Sequence, residues 1–396
     1  MELTREEEAV LGGSEGGTRQ RMMELLVGLG TVFSASRLVP VASAQVSGAS
    51  YRTIGRWGLE WLESLDGEVA VPTILNPVGM DRERWQEAGI PADFAANQEK
   101  ILAVFRRLGV RLECTCTPYE ILPVRFGEHL AWAESSAVVY ANSAIGARTN
   151  REGGPAALAA AIIGKTPCYG LHLDRNREPQ VVIRVEEFSR GLGRTDHYGA
   201  LGYIGGKRAG NRVPFFRGIQ PRDGELKAMG AAMAASGAVA LFHVEGITPE
   251  AGRAVSLTGG LEEQIITGEE VLSLLREIPV EAVALGCPHC SAGELAEIAS
   301  LLVGKRMRKP LLIFTSRHVV EGNQSLIQKI EASGARVYAD TCMVVSPMME
   351  PYSSIMVNSG KAFAYIPSMC GAMVRIGTLT ECVEEAIGAT AGFHET

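Results

Sequence analysis

Short runs of strand character alternate with amphipathic helical stretches along most of this chain. That alternation narrows the fold more than any other feature, because it predicts α/β architecture with largely parallel sheets. In the first third, Ile54, Trp57, Trp61, Leu62 and Leu65 recur at helical spacing ahead of a buried strand over 69–75. Ile101, Leu102, Phe105 and Leu108 repeat the pattern before a short strand over 110–113. Later strands are expected over 238–244, 283–285, 311–314 and 335–338. Helices are expected to end at Gly237, to start near Glu294, and to cover 325–332 and 381–387. Thr4 and Glu7 have the spacing of a capping box and open a first helix. No repeat is detectable. The stretch from Gly191 to Gly218 is rich in Gly and Arg and poor in apolar periodicity. It is therefore expected to connect an N-terminal lobe, 1–205, to one or more C-terminal lobes, 206–396.

Composition limits what such a fold does. The 396 residues are too many for one module of about 150, and 46% hydrophobic against 21% charged residues supplies apolar surface for several cores. A net charge of -7 argues against a protein that coats nucleic-acid phosphates, although it leaves room for a local basic pocket. No apolar run reaches the roughly 20 residues that span a bilayer. Eight cysteines are too sparse for a disulfide scaffold, and the charged opening MELTREEEAVL does not resemble a signal peptide. Reduced thiols in a cytoplasmic protein are the expectation.

Glycines cluster just after strands or before helices, where backbone amides can approach an anion: QVSGASY at 45–51, NPVG at 76–79 and NREGGP at 150–155. Any one of these is readable as an ordinary turn, but together, with Arg148 and Arg151 beside the last, they favour an anionic substrate. Among the thiols, Cys287 and Cys290 form a lone C-x-x-C without a second pair to complete a structural zinc site. A different grouping carries more information. Cys116, Cys287 and Cys342 each follow a strand, at the sheet edge where α/β proteins bind ligands. Three thiolates converging there suit an iron-sulfur cluster with one iron left open, able to act as a Lewis acid. Burial as small apolar residues is the competing and commoner fate of a cysteine.

The sequence resembles the aconitase X family, an iron-sulfur dehydratase branch of the aconitase superfamily, over essentially its whole length. The resemblance is carried by RLVPVASAQVSGASYRTIG at 37–55, by the long run from CTCTPYE to CYGLHL at 114–173, by LFHVEGITPEA at 241–251, LGCPH at 285–289, DTCMVVSP at 340–347 and NSGKAFAY at 358–365. It implies an aconitase-like fold in which several α/β lobes surround a cluster cleft. It also implies a 4Fe-4S cofactor ligated by Cys116, Cys287 and Cys342, in the C-T-P-Y, G-C-P-H and T-C-x-V-V contexts. Cys290 has no counterpart in that pattern, and Cys114, Cys168, Cys370 and Cys382 are left with structural roles. The resemblance further implies a substrate cradle of Gly48, Ala49, Ser50, Asn76, Pro77 and Gly79, joined by Glu134, Ser135 and Lys361.

Lys361 is then a partner for phosphate or carboxylate, and Glu134 orients the substrate hydroxyl or relays a proton; both are expected to be catalytic. Arg148 and Arg151 are either anion contacts or members of structural ion pairs. His129, His172, His243 and His289 have no ligand spacing and are expected to pack around the site. The implied reaction is dehydration of (R)-5-phosphomevalonate to trans-anhydromevalonate 5-phosphate, in an isoprenoid-forming mevalonate pathway. Dehydration of cis-3-hydroxy-L-proline is the alternative within the family, and an iron-sulfur sensor or binding protein the alternative outside it. Aconitase-like enzymes close a swivelling domain bearing a serine base over the cluster. No segment is left here to form one, so a separate small subunit is expected to supply it in a heterodimer.

Overall fold

Buried runs of Val, Ile and Leu favour parallel strands covered on both faces, and every strand pair in the three main sheets is parallel. A computed structural model describes residues 1–186 and 195–388. The first sheet has the spatial order Arg111–Cys114, Thr73–Leu75, Ala44–Val46, Ala131–Trp132. The second runs Glu263–Thr267, Val181–Glu186, Pro214–Arg217, His243–Val244. The third runs Arg336–Ala339, Leu311–Thr315, Ala282–Cys290, Ser354–Val357, Met373–Ile376. A short antiparallel pair, Leu38–Pro40 with Lys165–Pro167, flanks the first sheet.

One winding order recurs in all three sheets. The first three strands step outward in chain order, and the fourth returns to the other side of the first. Such a reversal opens a crevice at the carboxyl ends of the first and fourth strands, which is where open α/β sheets bind ligands. In the first sheet those ends lead into Gly48–Ser50 and Glu134; in the third they carry Cys287 and lead to Lys361. The architectural repeat is invisible in the sequence, because buried strands constrain polarity and shape rather than residue identity.

Each sheet has its own core. A further cluster joins Met80, Ile90 and Ala95 of the first unit to Ala284, Phe314 and Met343 of the third, and thereby fixes the two crevices against each other.

The stretch expected to be a connection is different where it is described; residues 191–194 lie outside the described part. Thr195–Ala209 is a helix and Pro214–Arg217 a central strand of the second sheet, so the expected boundary at 205/206 falls inside a helix of that unit. Its glycines serve close packing against the helix Asp223–Gly237. A Cβ on Gly202 would lie 2.3 Å from the Met229 carbonyl oxygen, and one on Gly206 would lie 2.8 Å from Met233 Cα. Other differences are of extent. The strand expected over 69–75 forms only at Thr73–Leu75, and that over 238–244 only at His243–Val244. The strand at 283–285 continues to Cys290 with a break in register: Leu285 pairs with Ile313, and the next pair is Cys290 with Thr315.

Candidate active site

The three cysteines reach one cavity by three local devices. Cys116 lies two residues past the strand Arg111–Cys114, whose Cys114 points into the first core. The Cys116 loop is held by Gln45, whose Nε2 donates to the Thr115 carbonyl at 2.7 Å. Cys287 sits in the register break of its strand rather than beyond its end, next to Gly286, whose φ of +99° and approach to the Phe314 carbonyl oxygen leave no room for a Cβ. Cys342 is tied to the Asn76–Pro77 loop. The Val78 N–H donates to the Asp340 carbonyl at 2.8 Å, and the Cys342 N–H to the Val78 carbonyl at 2.9 Å.

Beneath that junction lies a buried ion network. Asp340, fully buried at a φ of +60°, accepts from Arg82 at 2.8 Å and Arg317 at 2.7 Å. Arg317 also reaches Asp81 at 2.7 Å. Burying these charges is costly, but their pairing with good hydrogen-bond geometry locks two loops from different sheets together.

Cys116, Cys287 and Cys342 line this cavity together with Asn76, Glu134 and Lys361. It continues into a larger space of about 210 Å³ bordered by Gly48, Ala49, Ser50, Ser135 and Arg151. Pro77 borders both spaces. Gly79 does not: the place of its missing Cβ is filled by the Phe94 ring and Ser50 Oγ, so it lets those groups pack. Cys290 is absent from this wall; it packs in the third core and borders, with Cys287, Lys227 and Glu294, a second cavity on the other side of Gly286 and Cys287. Cys114, Cys168, Cys370 and Cys382 line none of these cavities, and all eight cysteines are free thiols.

Glu134 caps the helix Ser135–Tyr140 by accepting from the Ala137 N–H at 2.9 Å. Its other oxygen receives Lys361 Nζ at 2.5 Å, and Ser136 donates to the carboxylate as well. Both members of the ion pair are buried. Burial by itself would raise the Glu134 pKa, but the Lys361 ammonium and the hydrogen bonds hold it below the ordinary carboxylate value. Burial works against charge on Lys361 too, yet the Glu134 carboxylate keeps that ammonium well above its ordinary pKa. The pair is therefore charged at neutral pH. Lys361 has three protons, of which Glu134 and Ser136 Oγ, at 3.1 Å, take two; the third is available to a ligand. Asn76 Oδ1 is buried without a hydrogen-bond partner among the described residues and offers an acceptor in the same wall.

The thiols fit a cluster by their chemistry. Burial pushes Cys116 up to about 12, and it raises Cys287 and Cys342 as well; Lys361 is the leading opposing influence on each. The metal-free thiols are therefore protonated, and a cluster held by them would have to displace their protons. Among the described residues no three His, Cys, Asp or Glu side chains converge on a single ion site. A cluster does not ask for that, since each thiolate takes a different iron.

The two arginines separate. Arg148 pairs with Asp174 and donates to the His172 carbonyl at 3.1 Å, which makes it structural. Arg151 borders the larger space, and among the described residues its guanidinium makes one long approach, 3.4 Å to the Ala234 carbonyl. Of the histidines, His129 and His172 face each other through Nδ1 at 2.9 Å. His243 Nε2 binds the Arg177 carbonyl at 2.8 Å, and His289 lies against the Cys116 loop. Two supporting residues escape sequence reasoning. Gln45 links the Cys116 loop to the Glu134 N–H, and Gln98 holds the Ala49 carbonyl at 2.7 Å and the Tyr51 N–H at 3.0 Å. An amide interrupting an apolar strand or helix face was the available signal for both.

Fold and site together define an α/β enzyme with a three-thiol wall between two strand-end crevices. Three family models cover the chain: Aconitase X first domain at 1–175, Aconitase X second domain at 179–274 and Aconitase X third domain at 280–388. The chain belongs to the aconitase X family of dehydratases, which are hydro-lyases. It is 52% identical to the phosphomevalonate dehydratase large subunit of Methanosarcina mazei, over 98% of each chain. It is 44% identical to the protein of that name from Methanocaldococcus jannaschii, over 97% of this chain and 100% of the relative. It is 35% identical to a cis-3-hydroxy-L-proline dehydratase of Pseudomonas aeruginosa over 96% of this chain, but that match covers only 69% of the relative. Crystallographic Thermococcus kodakaraensis aconitase X (holo-form) superimposes with a TM-score of 0.90 at 41% identity, covering 98% of this chain and 100% of the other.

Proposed function

We propose that this chain is the large subunit of an iron-sulfur hydro-lyase that converts (R)-5-phosphomevalonate to trans-anhydromevalonate 5-phosphate. The observation that carries the reading is the cavity in which Cys116, Cys287 and Cys342 share a wall with Lys361 and Glu134. The names of relatives 43 to 52% identical along nearly the whole chain support the choice of substrate. Loss of water from a 3-hydroxy acid breaks the C3–O bond, removes a proton from C2 and leaves a C2–C3 double bond. A 4Fe-4S cluster held by the three cysteines, when bound, supplies an iron without a protein ligand as Lewis acid for the departing hydroxyl.

Lys361 contributes a fixed ammonium with one uncommitted proton to the substrate carboxylate. Both oxygens of Glu134 are engaged, so its part is to hold Lys361 rather than to take the C2 proton. Gly48, Ala49 and Ser50 shape the adjoining space, and Arg151, which has no carboxylate partner among the described residues, offers the distal phosphate a cation. Glu134 is the one carboxylate bordering these two spaces among the described residues, and the His289 imidazole in the same wall has both ring nitrogens engaged, so the base is assigned to a separate small subunit with a swivelling domain. The eight free thiols suit a reducing cytoplasm.

Coexpression with the small subunit, anaerobic reconstitution and assay of both candidate substrates test the reading. Turnover of (R)-5-phosphomevalonate with formation of the unsaturated acid is expected. Turnover of cis-3-hydroxy-L-proline in its place would overturn the substrate assignment.

A further inference from the structure

His289 is nearly fully buried, and all of its polar atoms are engaged with different parts of the chain. Its backbone N–H donates to Cys116 Sγ at 3.1 Å. Nε2 lies 2.9 Å from the Thr341 carbonyl, next to Cys342. That oxygen only accepts, so Nε2 carries the ring proton and Nδ1 is an acceptor facing, at 3.2 Å, the hydroxyl of Thr115, next to Cys116; that hydroxyl shares its one proton between Nδ1 and Thr117 Oγ1 at 3.0 Å. The His289 carbonyl receives Lys227 Nζ at 2.8 Å, from a helix of the second unit, and Lys227 is itself held by Glu294 at 2.7 Å. His289 follows Cys287 by two residues. One rigid ring and its peptide thus connect all three cysteine loops and all three α/β units.

We propose that His289 is a positioning residue that sets the mutual spacing of Cys116, Cys287 and Cys342 for the cluster. The inference rests on the cluster assignment made above. An imidazole suits the task because its donor and acceptor lie at opposite edges of a flat ring and keep a fixed separation, whereas a flexible amide has to be ordered to do the same. Partners of metal ligands typically change metal affinity by 10- to 100-fold when removed.

The test uses the full-length chain with His289→Ala, His289→Gln and Thr115→Val, reconstituted anaerobically beside the wild type. Circular dichroism reports folding, and iron and acid-labile sulfide report loading. The decay of visible absorbance under an iron chelator reports retention, and the electron paramagnetic resonance spectrum reports cluster geometry. His289→Ala is expected to fold, to lose its cluster at least 10-fold faster than wild type and to show an altered spectrum. Thr115→Val, which lacks the hydroxyl facing Nδ1, is expected to lose it faster to a smaller degree. His289→Gln, which keeps a donor for Thr341, is expected to recover part of the retention. A folded His289→Ala chain with wild-type retention and spectrum would overturn the role. Should that variant fail to fold, wild-type retention in both Gln and Val variants would overturn it equally. Absence of a cluster from the wild type would instead sink the cluster assignment.

Discussion

Single residues set the chemistry of this site through what surrounds them. Cys287 and Cys290 are three apart, yet the register break between Leu285 and Cys290 puts only Cys287 in the wall shared with Cys116 and Cys342. Single replacement of Cys116, Cys287 or Cys342 by Ser is expected to abolish the visible absorbance of the reconstituted chain, whereas Cys290→Ser retains it; absorption spectra at equal protein concentration decide this. Glu152 illustrates burial without a partner of opposite charge. Loss of hydration pushes its pKa up to about 7, with only a hydrogen bond from Thr166 to oppose the shift. The folded chain therefore holds a proton that the unfolded chain releases above about pH 4.5. This contribution to stability is fully present below pH 4.5 and is lost as pH rises through about 7, on the order of 3 kcal/mol in all. Glu152→Gln is expected to remove that slope, matching wild type near pH 4.5 and exceeding it above pH 7. Urea midpoints of the two chains across that range measure the difference.

Elements show where sequence patterns mislead. Gly202 and Gly206, with their neighbours, read as a connector because glycine usually marks chain reversal, but here they sit in a helix pressed against Asp223–Gly237. Only the partner helix reveals the use: a Cβ on Gly237 would lie 1.9 Å from the Gly206 carbonyl oxygen. Gly206→Ala is expected to lower stability by about 2 kcal/mol through overpacking. Gly252→Ala, where a Cβ meets open space in the helix Ala251–Ala254, is expected to leave stability equal or slightly higher. Denaturant midpoints distinguish them. The strands over 311–314 and 335–338 were legible to within a residue or so, because short β-branched runs between helices are buried on both faces. The run at 238–244 was not, because only His243 and Val244 find a neighbouring ladder.

At the scale of the whole molecule, three units with one winding order place two crevices face to face, and the three cysteines of the shared wall divide between the first and third units. With both oxygens of Glu134 and both ring nitrogens of His289 already engaged in the cavity wall, the reconstituted chain alone is expected to be inactive and to gain turnover as a small subunit is added, saturating at one small subunit per chain. Titration of activity measures this, and full turnover by the chain alone would refute the division of labour. The sequence by itself determined the parallel α/β class, since the alternation of buried strands and helices has few other solutions. It also marked Cys116 and Cys342 past strand ends and the glycine loops beside them, because those positions follow from local pattern, whereas the register break inside the strand that holds Cys287 does not. Only tertiary structure decided which of Arg148 and Arg151 has a carboxylate partner among the described residues, that Lys361 and Glu134 meet across 227 residues, and that His289 spans three loops. Such contacts join segments distant in the chain, and no local spacing encodes the angle at which two sheets pack.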